Sequence, residues 1–162
     1  DTCESSVPGV YAVGDVNGGP QFTYISLDDF RIVFGALTGN GHYTLKDRKN
    51  IPYTTFLTPP LARVGLTEED AINKGYTVKT KEMLVATMPR AHVNDNLKGA
   101  FKIVVDAESN LILGATLYSQ SAEELINMIK VAMDNNIPYT YFKNQIFTHP
   151  TMAENLNDLC NF

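Results

Sequence analysis

The chain has 162 residues, 44% of them hydrophobic and 19% charged, with a formal net charge of -5. A chain of this length typically removes roughly 70% of its unfolded surface from water, so it can bury a real core. The acidic balance without a Lys/Arg-rich patch excludes a nucleic-acid partner. No apolar stretch approaches the roughly 20 residues that a bilayer requires, which excludes a membrane-spanning helix.

The first part of the chain predicts one strand and one helix. Residues 10–13 are rich in small and β-branched side chains, which is typical of a buried strand, but the short lead-in offers no neighbours for a parallel sheet. We therefore expect the sequence to be part of a longer chain. The helix is predicted at residues 23–37 and ends at Thr38-Gly39-Asn40-Gly41. Its apolar stripe consists of Ile25, Leu27, Ile32, Val33, Ala36 and Leu37.

A polar, charged connection at residues 42–50 separates this part from a second unit, and we place the domain boundary between residues 48 and 49. The second unit predicts strands at residues 52–58, 62–65, 76–87, 100–105 and 111–118. The last two flank a five-residue polar turn, which predicts a hairpin.

The helices of the second unit are predicted from their start signals and apolar spacing. One opens at Thr67, with Asp70 three residues on, and a longer one opens at the S-x-x-E capping box Ser121–Glu124 and runs to about residue 136. Two shorter helices follow at residues 139–147 and 152–159. Because strands come first and helices last, we expect an α+β fold in which helices cover one side of an antiparallel sheet.

Near the end of the chain, a proline joins an imidazole to a carboxylate in the run His149-Pro150-Thr151-Met152-Ala153-Glu154. A histidine titrates near neutral pH, and an acid that orients it makes a device for proton transfer. The alternative is structural, because Thr151 and Glu154 also form a T-x-x-E capping box beside an ordinary loop histidine. The local sequence by itself favours this structural interpretation.

A second candidate site is the dipeptide Gly14-Asp15 at the end of the first predicted strand. Ligands of open α/β sheets bind at the carboxyl ends of strands, and a carboxylate there suits ribityl or ribose hydroxyls. The next helix begins near Phe22 and Thr23, and its N-H groups and dipole can stabilise negative charge. Gly-Asp alone is a common turn, however, and Thr23 is equally interpreted as an N-cap.

The two cysteines, Cys3 and Cys160, lie at opposite ends of the chain and have no Cys-x-x-Cys spacing. This pattern argues against a disulfide scaffold and against a metal site, so we expect incidental thiols and no bound metal. Two lone thiols suit a reducing compartment, and we expect a cytoplasmic protein.

In combination, these segments resemble the C-terminal part of a flavin-dependent pyridine nucleotide-disulfide oxidoreductase. Residues 11–15 (Tyr-Ala-Val-Gly-Asp) resemble the family's second flavin-binding motif. Residues 149–154 match the H-P-[ST]-x-x-E run of glutathione reductases, lipoamide dehydrogenases and mercuric reductases. Residues 56–68 resemble the F-T-x-P-x-x-A-x-V-G-L-T-E run that opens the dimerisation domain, with Leu57 as an irregularity. The motifs occur in the family's order and cover nearly the whole chain.

Within the family, residues 17–31 and 154–159 look like the bacterial branch associated with resistance to reactive chlorine and hypothiocyanite. Mercuric reductases and large thioredoxin reductases carry a C-terminal pair of cysteines. The single thiol at Cys160 disfavours both of these subtypes.

The resemblance implies a role for each candidate residue. Gly14 and Asp15 would hold the ribityl chain of FAD, and the helix start at Phe22 and Thr23 would face the pyrimidine side of the flavin. His149 would be the acid/base of thiol-disulfide exchange, oriented by Glu154, with a cis peptide bond to Pro150. It would serve the flavin and cysteines of the other subunit, which implies a homodimer. We expect the face of the long helix that bears Met128 and Met133, with the terminal helices, to be buried in that dimer.

The resemblance also implies that the two parts of the chain belong to different domains. Residues 1–48 would be the remnant of an FAD-binding domain, and residues 49–162 the dimerisation domain. Both G-x-G-x-x-G motifs and the C-x-x-x-x-C pair are absent, so the chain would contribute only part of a reaction in which NAD(P)H reduces a disulfide or a small oxidised sulfur or halogen species. The selection between NADH and NADPH lies outside this sequence. The alternative is a non-catalytic dimerisation or interaction module that retains only the fold.

Overall fold

The computed structural model describes residues 1–162 and divides them into two units, Asp1–Lys49 and Asn50–Phe162. The first unit contains helix α1 (Thr23–Thr38) and two short 3-10 helices, Gly14–Asn17 and Leu45–Asp47. The prediction of helix α1 is confirmed, and Gly39 ends it in a left-handed conformation with φ of 69°.

The predicted strand at residues 10–13 is wrong. Tyr11 forms a single bridge to Glu4, and the side chains of Val10 and Val13 are about half exposed, at 52% and 43%. A strand requires a neighbouring backbone for its N-H and C=O groups, and the first unit provides no second strand.

Only part of the predicted stripe of α1 is buried. Ile25 and Ile32 are buried, whereas Leu27, Ala36 and Leu37 are exposed. The buried face instead includes a charged residue, Asp29, which is 0% exposed. The spacing of apolar residues did not predict that Asp29 would be buried. Its burial depends on a cationic partner, Arg48, which lies 19 residues further along the chain.

The second unit is built on a five-stranded sheet in which every neighbouring pair of strands is antiparallel. The strands are β1 (Tyr53–Thr55), β2 (Leu61–Gly65), β3 (Val78–Leu84), β4 (Ala100–Asp106) and β5 (Ile112–Tyr118), in the order β1-β2-β5-β4-β3. Strands β4 and β5 form the predicted hairpin. Strands β1 and β3 are shorter than predicted, and β3 gives way to a 3-10 helix at Val85–Thr87.

The helices of this unit are α2 (Glu68–Asn73), α3 (Pro89–Val93), α4 (Ala122–Asp134), α5 (Tyr139–Asn144) and α6 (Asn155–Leu159). Helix α4 packs against β2 and β5, and α6 packs against β3 and β4. The predicted α+β class is therefore confirmed. The prediction that all helices lie on one side of the sheet does not hold for α2. Its Glu68 pairs with Lys102, whose side chain lies on the sheet face opposite the core.

The core of the second unit lies between one sheet face and the helices. Its members from the strands are Ala62, Val64, Phe101, Ile103, Ala115 and Leu117, and those from the helices include Leu125, Ile126, Ile129, Phe142, Leu156 and Leu159. The core residues of the strands recur at every second position, and those of the helices recur every three to four positions, as the geometry of each element requires.

One of the two predicted capping boxes near α2 and α4 forms. The Oγ1 of Thr67 accepts from the backbone N-H of Asp70 at 3.0 Å, and the Asp70 carboxylate accepts from the N-H of Thr67 at 3.2 Å. The predicted box at α4 is wrong, because Ser121 has φ of 66° and its side chain makes no cap hydrogen bond. A capping side chain needs extended backbone at the cap residue, which this left-handed residue does not provide.

Candidate functional site

His149 and Glu154 lie together between α5 and α6. The Nδ1 of His149 is 2.7 Å from Oε2 of Glu154, and the peptide bond from His149 to Pro150 is cis, as predicted. The histidine side chain is 67% exposed, whereas that of Glu154 is only 19% exposed. The carboxylate thus holds Nδ1 of the ring, whereas Nε2 makes no hydrogen bond within the chain.

Glu154 has both of the alternative roles that its sequence context allowed. Its Oε1 accepts from the backbone N-H of Thr151 at 3.0 Å, and its own N-H donates to Thr151 Oγ1 at 3.2 Å, so the hydrogen bonds of the capping box exist. They close the turn before α6, which begins only at Asn155. The second oxygen of Glu154 remains for His149. The structural interpretation and the proton-transfer interpretation are therefore compatible, because a carboxylate has two oxygens.

The surroundings of Glu154 keep its carboxyl group ionised. Burial raises the pKa of Glu154, but the hydrogen bonds from His149 and from the Thr151 N-H outweigh burial and lower the pKa below its usual value. With an ionised acceptor at Nδ1, a neutral imidazole keeps its proton on that nitrogen. Nε2 is then free to accept a proton.

Two asparagines support the segment around His149, and the sequence analysis missed both. The Nδ2 of Asn157 donates to the carbonyls of Phe142 at 2.7 Å and Gln145 at 2.9 Å, which joins α6 to the end of α5. The Nδ2 of buried Asn155 donates to Met152 O at 3.1 Å. Asparagine is an unfavourable residue within helices. Two asparagines in a five-residue helix could therefore have indicated that their side chains have a structural role.

The residues of the second candidate site lie in the first unit. Gly14 is buried with φ of 73°, and a Cβ atom added to it would lie 2.9 Å from Ser26 Oγ. Asp15 follows it with an exposed side chain that makes no hydrogen bond or ion pair. This position therefore requires glycine, and it presents a carboxylate that has no partner within the chain.

Helix α1 begins next to this turn. Its N-cap is Phe22, which is extended and makes no side-chain cap, so the interpretation of Thr23 as an N-cap is wrong. Thr23 is the first helical residue and is exposed. The ring of Phe22 stacks on Tyr24 with centroids 5.1 Å apart. The N-cap residue of α1 therefore makes no side-chain hydrogen bond to the N-H groups at the helix start.

With this geometry established, residues 51–160 match the family model described as "Pyridine nucleotide-disulphide oxidoreductase, dimerisation domain". The chain belongs to this family. Among its relatives, the "Probable pyridine nucleotide-disulfide oxidoreductase RclA" of Escherichia coli K12 is 48% identical over 155 residues, which are 96% of this chain and 35% of the relative. A mercuric reductase of Lysinibacillus sphaericus is 36% identical over 96% of this chain and 28% of its own length.

A solved structure confirms the fold of this chain. The "HOCl-induced flavoprotein disulfide reductase RclA from Escherichia coli" superimposes with a TM-score of 0.95 at 46% identity, covering 98% of this chain and 37% of that one. The chain thus spans about a third of the length of the relatives that it matches. The predicted family resemblance and the predicted dimerisation-domain fold are both confirmed.

The burial of Met128 and Met133 against a second copy stays a prediction, and the two residues differ in how far their own chain covers them. Met128 is 38% exposed, but Met133 packs against the core of its own unit. The reason is local, because Gly65 leaves space that the Met133 methyl group fills, at 2.6 Å from where a Cβ would stand. Val131, Tyr141 and Ile146 are the other exposed apolar residues on α4, α5 and the segment before His149.

No helix of this chain combines the length and apolar character needed to cross a bilayer. No group of three or more His, Cys, Asp and Glu side chains is arranged to hold a metal ion.

Both thiols are expected to resist alkylation in the folded chain. Cys3 and Cys160 are free and buried, and burial raises the pKa of Cys160 to about 12 and that of Cys3 above its usual value. Thiolate is the reactive form, so iodoacetamide at about pH 8 should label neither residue until urea is added. Mass spectrometry of the digested chain measures this, and rapid native labelling of Cys160 would contradict it.

Proposed function

We propose that this chain is the dimerisation part of a homodimeric, FAD-dependent oxidoreductase. The parent enzyme uses NAD(P)H to reduce a disulfide or a small oxidised sulfur or halogen species. Residues 1–48 are the end of its FAD-binding domain, and residues 49–162 are its dimerisation domain. The observation that carries the proposal is the pair of His149 and Glu154, with 2.7 Å between Nδ1 and the carboxylate.

The pair suits the proton transfers that disulfide reduction requires. A thiolate that leaves a disulfide must be protonated, and the next turnover must deprotonate a thiol. Nε2 of His149 gives and takes this proton, while Glu154 stays ionised and holds the ring. Within its own chain, the imidazole is 67% exposed. This exposure supports a role toward the redox centre of the partner subunit.

The residues of the first unit suit the flavin. Bound FAD supplies the transfer of two electrons between the nicotinamide and the sulfur atoms. Asp15 accepts hydrogen bonds from the hydroxyls of the ribityl chain, and Gly14 lets the backbone turn beside it. The start of α1 at Phe22 and Thr23 stabilises negative charge on the flavin ring. The unpartnered carboxylate of Asp15 is the observation that supports this assignment.

Two features support the substrate class and the compartment. The names of the relatives include an HOCl-induced flavoprotein disulfide reductase and mercuric reductases, which supports a disulfide or a related oxidised species as the substrate class. Cys3 and Cys160 form no disulfide, which supports a reducing, cytoplasmic location. The same buried thiols leave the redox cysteines to another part of the parent protein.

Mixed dimers of the full-length parent test whether His149 acts on the partner subunit. One subunit carries His149→Gln and the other carries serine at its redox cysteines, and two affinity tags isolate the mixed dimer. If the histidine acts in trans, one of the two sites contains both intact elements, so about half of the wild-type turnover per dimer should return. Each variant alone should be inactive with the disulfide substrate.

The matched control places both changes in one subunit and pairs it with a wild-type subunit. Action in trans then leaves neither site intact, so this dimer should be inactive. Action within one subunit predicts the reverse pattern, and would overturn the proposed role of the pair. Sedimentation velocity on the parent establishes beforehand that it is a dimer. A parent that lacks redox cysteines altogether would instead support the non-catalytic module.

A further inference from the structure

The first unit buries a carboxylate against the turn that precedes α1. Asp29 is 0% exposed, and its Oδ2 accepts from the backbone N-H of Gly14 and from Asn17 Nδ2, both at 2.8 Å. Its Oδ1 accepts from Arg48 Nη2 at 2.5 Å. One buried side chain therefore contacts both ends of the 3-10 helix Gly14–Asn17, in which Asp15 lies.

The partners of Asp29 keep it charged. Burial alone raises the pKa of Asp29, but the hydrogen bonds from Arg48 and from Gly14 N-H reverse this effect and lower it. A buried carboxylate is unfavourable unless it is paired and its oxygens are satisfied. Here both oxygens of Asp29 have donors.

The hydrogen bonds extend beyond the two ends of the turn. The Oδ1 of Asn17 accepts from the backbone N-H of Gly19 at 2.9 Å, so Asn17 connects Asp29 to the loop that follows. Gly14 itself has a left-handed φ of 73°, which its bond to Asp29 helps to fix. The exposed carboxylate of Asp15 thus stands on a backbone that is held at several points.

We propose that Asp29 is a positioning residue for cofactor binding, which holds the Gly14–Asn17 turn so that Asp15 meets the FAD hydroxyls without rearrangement. This inference rests on the proposed function, since it assumes that Asp15 binds FAD. Preorganising a contact residue in this way lowers the free-energy penalty of ligand binding. Asp29 itself does not touch the cofactor.

The chain offers a matched control in the neighbouring carboxylate. Asp28 also pairs with Arg48, through Oδ2 and Nε at 2.8 Å, but it makes no contact with the turn. A carboxamide has one acceptor oxygen where a carboxylate has two. Asp29→Asn must therefore lose the oxygen that accepts from the turn or the oxygen that accepts from Arg48. Asp28→Asn can keep the one oxygen that accepts from Arg48.

The experiment titrates FAD into the full-length apoprotein and follows flavin fluorescence. Asp29→Asn should weaken FAD binding on the order of tenfold, the worth of one hydrogen bond to a charged group, while Asp28→Asn should stay within about twofold. The visible circular dichroism of bound flavin should change in Asp29→Asn only. If both variants weaken FAD binding equally, Asp29 acts only by holding Arg48, and the inference is overturned.

A second variant covers the case in which Asp29→Asn does not fold. Asn17→Ala removes one contact between Asp29 and the turn without changing a buried charge, and should weaken FAD binding by about threefold. Unchanged binding in a folded Asn17→Ala protein would count against the inference in that case.

The variant Asp15→Asn separates this inference from the proposed function. If Asp15→Asn weakens FAD binding and Asp29→Asn does not, only the inference fails. If Asp15→Asn leaves binding unchanged, the assignment of the flavin site fails, and the inference fails with it.

Discussion

Replacing His149 with glutamine in the full-length parent should lower turnover with a disulfide substrate on the order of 10²- to 10⁴-fold, the usual effect of removing a positioned acid/base. Hydride transfer from NAD(P)H to the flavin should remain nearly unchanged, because the proposed role of Nε2 is to move a proton only in the thiol half of the reaction. Stopped-flow absorbance measures flavin reduction and flavin reoxidation separately. The loss should appear in reoxidation alone.

Glu154→Gln provides the comparison for this experiment. The amide oxygen of glutamine can still accept from the Thr151 N-H, so the capping box is retained, but the negative charge beside His149 Nδ1 is lost. The effect should have the same direction as that of His149→Gln and be smaller, since Glu154 orients the ring and moves no proton. If His149→Gln leaves reoxidation by the physiological oxidant unchanged, the hydrogen bonds of Thr151 and Glu154 serve only to close the turn before α6.

Truncating Phe101 to alanine should destabilise the dimerisation domain by about 3–5 kcal/mol. Phe101 is 0% exposed, and it lies on the interior strand β4 opposite Leu117 of β5 and Met83 of β3. The variant loses the transfer free energy of the ring and leaves a cavity that the paired strands cannot close. Urea unfolding, followed by circular dichroism at one fixed protein concentration, measures the change.

The same substitution at Phe56 is the matched control. Its side chain is 80% exposed, so Phe56→Ala should change the free energy of unfolding by no more than about 0.5 kcal/mol. A loss below about 1 kcal/mol for Phe101→Ala would mean that the core repacks around the missing ring. Protein concentration is held constant because the apparent stability of a dimer depends on it.

Interactions between residues close in sequence were predicted well. The capping pair of Thr67 and Asp70 spans one helical turn, and the hairpin of β4 and β5 is joined by a short polar turn. His149 and Glu154 are five residues apart. In each case, the local chain already brings the partners near each other, so residue type and spacing were sufficient information.

Predictions failed where a local pattern depended on backbone or on distant partners. Ser121 has the correct residue type for a cap, but its left-handed backbone prevents the bond. The apolar segment at residues 10–13 has the composition of a strand but no ladder to join.

The sequence by itself determined the antiparallel α+β fold of the second unit and the pairing of His149 with Glu154. These features follow from apolar periodicity and short-range hydrogen bonding, which act within a few residues. Only the tertiary structure decided that Asp29, rather than an apolar side chain, would be buried beneath Gly14. That choice depends on Arg48, 19 residues away, because a buried carboxylate is tolerated only where the fold brings a cation and N-H donors to both of its oxygens.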